Sequence, residues 1–167
     1  RYLGETFDIH GGGLENVFPH NEDEIAQSEA ANGTQFARYW LHVNSLTVGG
    51  KKMGKSLGNA IFLKEALNRW SPEAIRLFIL STHYRSVLDV TDEALDAAET
   101  GLKRLTNTWR SLNETIARGG GEAAGLAEAA VAARERFKEA MDDDFNTSAT
   151  IAAVFDFCRD INSALAS

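Results

Sequence analysis

The sequence of 167 residues predicts an α/β part joined to an all-α part, mostly helical overall. Three observations carry that prediction. Over roughly the first sixty residues, short apolar runs alternate with glycine turns. Within that stretch a strand-like run, a helical run and a second strand-like run follow in order, as in one unit of a parallel sheet. Beyond Gly58-Asn59 the apolar residues recur at helical spacing instead.

Phe7-Asp8-Ile9-His10 reads as a short strand that Gly11-Gly12-Gly13 ends, since glycine is a poor strand former that admits close backbone approach. A helix is expected over 22–31, opened by Pro19 and by acidic residues suited to the positive end of its dipole, and closed by Asn32-Gly33. Residues 38–48, rich in Tyr, Trp, Leu and Val, read as one strand. Amphipathic helices are expected over 60–70 and 72–81, the second with Ser71 as N-cap and Pro72 in its first position. Thr91-Asp92-Glu93 opens a long helix over 92–113, whose apolar face is Leu95, Ala98, Leu102, Leu105 and Trp109. After a flexible loop at Gly119-Gly120-Gly121, two more helices are expected, over 126–141 and from 147 onward.

No apolar run reaches the length of a membrane span, and no secretory leader is recognisable. The single Cys158 excludes an intramolecular disulfide framework and fits a reducing, cytoplasmic setting. As a lone thiol it reads as a small buried hydrophobe. A net charge of −7 argues against a surface dedicated to coating nucleic acid, though not against a local basic patch such as Lys103, Arg104 and Arg110. The chain opens on Arg1 and stops at Ser167 inside a helical pattern, which reads as a piece of a longer protein.

Three stretches carry chemistry. Gly49-Gly50-Lys51-Lys52-Met53-Gly54-Lys55-Ser56 places lysines on a glycine-flanked loop after a strand, where they and freed backbone N–H groups can reach nucleotide phosphates. Taken alone, an exposed basic turn is the commoner meaning. The stretch also satisfies the phosphate-loop pattern G-x-x-x-x-G-K-[ST], but that motif needs a helix starting at its Lys-Ser pair, and Leu57-Gly58-Asn59 interrupts at once. His10-Gly11-Gly12-Gly13 looks like the oxyanion run of esterases, yet the chain has no G-x-S-x-G nucleophile elbow. His20 and Glu24 stand four apart on one helical face and could bind zinc through nitrogen and oxygen, or form a plain hydrogen-bonded pair.

Taken together, FDIHGGGLENVFPHNEDEIAQSEAANG (residues 7–33), YWLH (39–42), KMGKSLGN (52–59), STHYRS (81–86) and AMDDDFNTSAT (140–150) resemble the cysteinyl-tRNA synthetases, a class I family, over essentially the whole chain. The resemblance implies the second half of a Rossmann catalytic domain (residues 1–60), stem-contact helices (61–90) and the start of an anticodon-side helical bundle (91–167). It implies ATP-dependent activation of cysteine, with Mg2+, and transfer to the 3′ end of the cognate tRNA. Lys52-Met53-Gly54-Lys55-Ser56 corresponds to the family's KMSKS signature. This assigns Lys55 to the ATP phosphates with Lys52 assisting, where cations stabilise developing charge. Gly54 replaces the usual Ser and is expected to loosen the loop.

The resemblance further implies a zinc held by two Cys, one His and one Glu, which become His20 and Glu24 here, with both cysteines outside this chain. Zinc discriminates a soft thiolate from the hydroxyl of serine. His10 and Gly13 match residues lining the cysteine and adenylate pocket, Glu15 stands where the family has a ribose-contacting Asp, and Leu46 is the adenine-facing candidate. Asn21 stands where a second His is common. The family's HIGH motif and C-terminal end are not in the chain, so the fragment alone is expected to be inactive and to bind zinc weakly. The full-length parent is expected to be a cytoplasmic monomer. A cysteine ligase of mycothiol biosynthesis and a non-catalytic helical module are the rival readings; EIAQSEA and MDDDFNT favour the synthetase.

Overall fold

The computed structural model describes residues 2–59, 61, 63–120 and 123–166; the side chain of Lys55 lies outside the described residues. The chain forms two compact units, Arg1–Met53 with Tyr84–Asp89, and Gly54–His83 with Val90–Ser167.

In the first unit, β1 (Phe7–Gly13), α1 (Glu22–Asn32) and β2 (Ala37–Val43) make a strand–helix–strand crossover. The two strands pair in parallel, with Phe7 opposite Ala37, His10 opposite Trp40 and Gly13 opposite Val43. The strand runs on through the glycines, which their propensity was expected to prevent. Leu41, His42 and Val43 of β2 face Gly11, Gly12 and Gly13, so ladder pairing outweighs the weak preference of glycine. Helix α1 begins at Glu22 and not at Pro19, because a wide turn over Val17–Asn21, with Phe18 extended (φ −136°, ψ 134°), comes first. Gly33 ends it in the left-handed conformation (φ 67°), donating its N–H to the Glu29 carbonyl at 2.8 Å.

The single strand expected over 38–48 is two. The chain breaks at Asn44-Ser45, where the Asn44 Oδ1 accepts the Ser45 N–H and the Asn44 N–H donates to the Tyr84 carbonyl. β3 (Leu46–Val48) then lies at the centre of a second, three-stranded sheet. It pairs antiparallel with β4 (Lys51–Lys52) and parallel with β5 (Leu88–Asp89). Neither β4 nor β5 was expected from the sequence, each being only two residues long.

The second unit is helical: α2 (Leu63–Ala66), α3 (Pro72–Leu80), α4 (Asp92–Ala117), α5 (Leu126–Asp142) and α6 (Thr147–Ala166). The helix expected over 60–70 shortens to one α turn among the described residues; Ala60 and Phe62 lie outside them. The Asn68 and Arg69 N–H groups reach back only three residues, and Pro72 holds Ser71 extended (ψ 148°). Both expected N-caps form, Ser71 Oγ accepting from the Ala74 N–H and Thr91 Oγ1 from the Ala94 N–H.

One stripe of α4 holds the start of α3. Asp92 takes the Arg69 guanidinium in a forked pair, Asp96 accepts the Trp70 indole N–H at 2.8 Å, and Glu99 accepts both the hydroxyl (2.8 Å) and the N–H of Ser71. Spaced by four and three residues, the three carboxylates share one face. Beside them Ala74, Ile75, Phe78 and Leu95 are buried. Further along α4, Trp109 is 68% exposed and Thr108 is 4% exposed, the reverse of the expected apolar face. Here α6 presents Asn162, whose amide donates to the Thr108 hydroxyl at 3.0 Å, so a polar pair occupies the contact. Cys158 of α6 is half-buried, and burial pushes its thiol pKa up.

Leu95, at 2% exposure, is among the most buried side chains of this helical unit. Leu95→Ala is expected to lower unfolding stability by about 3 kcal/mol, the usual cost of such a cavity. Urea denaturation checks this: the midpoint should fall with the slope unchanged.

Candidate active site

Glu24, in the first turns of α1, gathers the polar side chains of the crossover. Its Oε2 lies 3.0 Å from His10 Nε2 and accepts the Asn21 amide at 3.1 Å, while its Oε1 lies 3.6 Å from His20 Nε2. The pairing of His20 with Glu24 follows from their spacing. His10 arrives from β1, ten residues earlier than His20, only because the strand runs beneath the helix start. Behind it the His10 ring stacks on Trp40 (centroids 4.4 Å, planes 24° apart), and Trp40 on His42. Phe36 and Phe7 complete the aromatic wall with an edge-to-face contact at 4.9 Å.

Three buried polar atoms in this wall have no hydrogen-bond partner: His10 Nδ1, His42 Nε2 and Asn21 Oδ1. Buried polar groups are nearly always paired, so these three are positions for a water or a ligand atom. Asn21 itself is 3% exposed and lies against Gly12, where a Cβ would stand 3.9 Å from its amide. The packing at Asn21 was not foreseen from the sequence, because it depends on the approach of β1 to the turn before α1.

His20 Nε2 and Glu24 Oε1 are spaced to share a tetrahedral zinc, since two ligands at about 2.0–2.1 Å stand about 3.4 Å apart. A four-coordinate zinc needs two donors more. Among the described residues no group of three or more His, Cys, Asp or Glu side chains converges as a metal cage.

The lysine stretch is a hairpin at its start. Gly49 and Gly50 form a two-residue turn with both φ positive (58° and 73°), which glycine adopts without strain and which matches strand twist. Lys51 and Lys52 pair back onto Val48 and Thr47. The Lys52 ammonium stands 3.6 Å from the Glu15 carboxylate, and both side chains are mostly exposed. Glu15 folds back over Gly13, where a Cβ would meet its Oε2 at 2.8 Å. Its carboxyl is held below the ordinary range, first by its own backbone N–H and then by Lys52. Leu46 lies half-exposed on β3, its carbonyl accepting the Met53 N–H.

After Lys52 the chain leaves the sheet. Lys55–Leu57 is one short turn ended by Gly58 (φ 65°), so no α-helix starts at the Lys-Ser pair and the phosphate-loop architecture is not formed. Gly54 is not in the left-handed region, and a Cβ there would make only ordinary contacts, with Leu57 at 3.7 Å and the Ser56 hydroxyl at 3.9 Å. Its N–H donates to Asn59 Oδ1 at 2.9 Å.

The sequence profile described as tRNA synthetases class I (C) catalytic domain matches residues 1–100. The chain belongs to that family. A DALR domain profile matches residues 136–167, a stretch that includes the end of α5 and all of α6. Among curated relatives, a cysteine–tRNA ligase of Geobacter metallireducens is 51% identical over 99% of this chain and 35% of its own length. One from Chlorobium chlorochromatii is 55% identical over 99% of this chain and 33% of its own length. The chain thus spans about a third of the length of the curated relatives it matches. A solved structure, the ternary LeuRS–tRNA–LeuAMS complex of Agrobacterium radiobacter K84, aligns with a TM-score of 0.76 at 17% identity, over 95% of this chain and 22% of that one. That likeness is one of fold.

The Asp89 carboxyl is held below its ordinary pKa by the Thr47 hydroxyl and then by the Gly50 N–H. Because the folded value is depressed, the stabilisation is full above the ordinary carboxylate range and is lost as pH falls through the folded value. An NMR titration should place the Asp89 midpoint below that of an unfolded aspartate, with the Gly50 amide shift following the same curve. Asp89→Asn should abolish that curve.

Proposed function

We propose that this chain is the lysine-loop half of the catalytic domain, with stem and first bundle helices, of a cysteine–tRNA ligase. The full-length enzyme would join cysteine to ATP as cysteinyl-adenylate, release pyrophosphate, and pass the cysteinyl group to the 3′ end of its tRNA. The observation that carries this reading is the identity of about half the residues to named cysteine–tRNA ligases over 99% of the chain. The site geometry agrees with it at several positions.

In this reading residues 1–60 complete the Rossmann domain, 61–90 form the stem contact and 91–167 open the bundle. His20 and Glu24 supply half of the zinc ligands. Zinc, when bound, would ligate the substrate thiolate and so select cysteine over serine. Asn21 and His10 hold Glu24 by its other oxygen, which fixes the orientation of the ligating carboxylate in the manner of outer-sphere partners. His10 and the close-approach Gly13 line the cysteine and adenylate pocket, Glu15 accepts from the ribose hydroxyls, and Leu46 faces adenine. Lys55 and Lys52 stabilise charge on the phosphates of ATP, which enters with Mg2+. Lys52 leaves Glu15 for the triphosphate, which offers several negative charges against one.

Two substitutions in the full-length ligase test this. Lys55→Ala should lower ATP–pyrophosphate exchange on the order of a hundredfold, as for removal of one preorganised charge-stabilising group; unchanged exchange removes Lys55 from the chemistry. His20→Ala should lower bound zinc measured by elemental analysis, and full zinc occupancy would show that His20 is no ligand.

A further inference from the structure

Asp89 lies on β5, thirty-seven residues beyond Lys52, in a stretch to which no chemistry has been assigned. Parallel pairing sets it opposite Thr47 of β3. One oxygen, Oδ1, accepts the Thr47 hydroxyl at 2.6 Å and the Gly50 N–H at 3.0 Å. The same atom therefore grips the first strand of the lysine hairpin and its turn.

The hairpin has reason to need such a grip. Its ladder holds two residue pairs, Thr47–Lys52 and Val48–Lys51. Alone, a two-stranded hairpin of that size is marginal in water, so it depends on β5 at its other side. Its turn is Gly49-Gly50, with no Cβ within 4 Å of anything, so side-chain packing does not fix it. Backbone bonding adds the Met53 N–H to the Leu46 carbonyl at 2.9 Å. A charged acceptor on the neighbouring strand, taking one side-chain and one backbone donor, is the strongest class of neutral-donor hydrogen bond available to tie it down.

We propose that Asp89 is a positioning residue for the phosphate-binding lysine loop, acting through the Thr47 hydroxyl and the Gly50 N–H to set where β4 presents Lys52. This rests on the reading of Lys52 given above. Asp89 acts through the hairpin, fixing the base from which the lysine reaches. Asparagine retains an acceptor oxygen in the same place, whereas alanine removes it, so the two substitutions separate the acceptor from the charge.

The test uses full-length ligase and ATP–pyrophosphate exchange, with Lys52→Ala, Asp89→Ala, Asp89→Asn, Thr47→Val and the Lys52→Ala/Asp89→Ala double variant. Asp89→Ala should lower exchange about tenfold, the effect of losing one hydrogen-bonded charged acceptor. KM for cysteine should stay unchanged, and Thr47→Val should shift exchange the same way. Asp89→Asn should recover most of the loss. In the Lys52→Ala background Asp89→Ala should add little, because the clamp acts through that lysine. Hydrogen exchange over residues 47–52 should quicken in Asp89→Ala while the α4 amides stay protected, which separates local release from misfolding. Wild-type exchange in Asp89→Ala alongside a defective Lys52→Ala would overturn the proposal. So would a loss that adds in full to that of Lys52→Ala. A Lys52→Ala enzyme with normal exchange would instead overturn the reading of Lys52.

Discussion

The first unit turns on one carboxylate. Glu24 ties His10 of β1, His20 of the preceding turn and Asn21 to the start of α1. Remove that convergence and the crossover loses the contact that sets strand against helix on the polar side of the sheet. The His10 ring would then be held by its aromatic neighbours Trp40, Phe36 and Phe7 alone. The half-buried carboxylate faces two imidazoles, one oxygen 3.0 Å from His10 Nε2 and the other 3.6 Å from His20 Nε2. Gly12 of β1 lies against Asn21, where a Cβ would make an ordinary 3.9 Å contact with its amide.

The helical unit uses carboxylates differently. Asp92, Asp96 and Glu99 of α4 grip three consecutive residues, Arg69, Trp70 and Ser71, and so fix the entry to α3. All three groups have defined donors and none is left over for a ligand. The Arg69 guanidinium also lies 4.0 Å from the Trp70 ring centroid, adding a cation–π contact to the forked pair. This is a structural joint. The acidic excess of the chain is spent partly in such joints, so net charge says little about where a nucleic acid would lie.

What the sequence made legible was what is decided locally. The caps at Ser71 and Thr91, the stop at Gly33 and the starts of α4, α5 and α6 were legible because such features are set within about one turn, whereas α4 runs to Ala117, four residues past its expected end. The spacing of His20 and Glu24 belongs to the same class. Decisions made at a distance were hidden. β1 runs through Gly13 because β2 is there to pair with it, and Trp109 points outward because α6 offers Asn162 to Thr108. The bond from Asp89 to Thr47 spans forty-two residues and has no signature in either neighbourhood. A two-residue strand such as β5 shows no alternation to detect. Family likeness names candidate contacts to ligands because it carries such long-range information implicitly, but it does not name the contacts that hold those residues in place.

The pair of Glu15 and Lys52 differs in kind from the bonds around it. Both side chains are more than half exposed, so water and dissolved ions compete for each. At physiological ionic strength screening acts over about 8 Å, and an exchange of partners involves little loss of attraction. Glu15 is thus a resident counterion, readily displaced, whereas the Asp89 clamp takes uncharged donors. Added salt should loosen the lysine from its carboxylate and leave the hairpin beneath it where it stands.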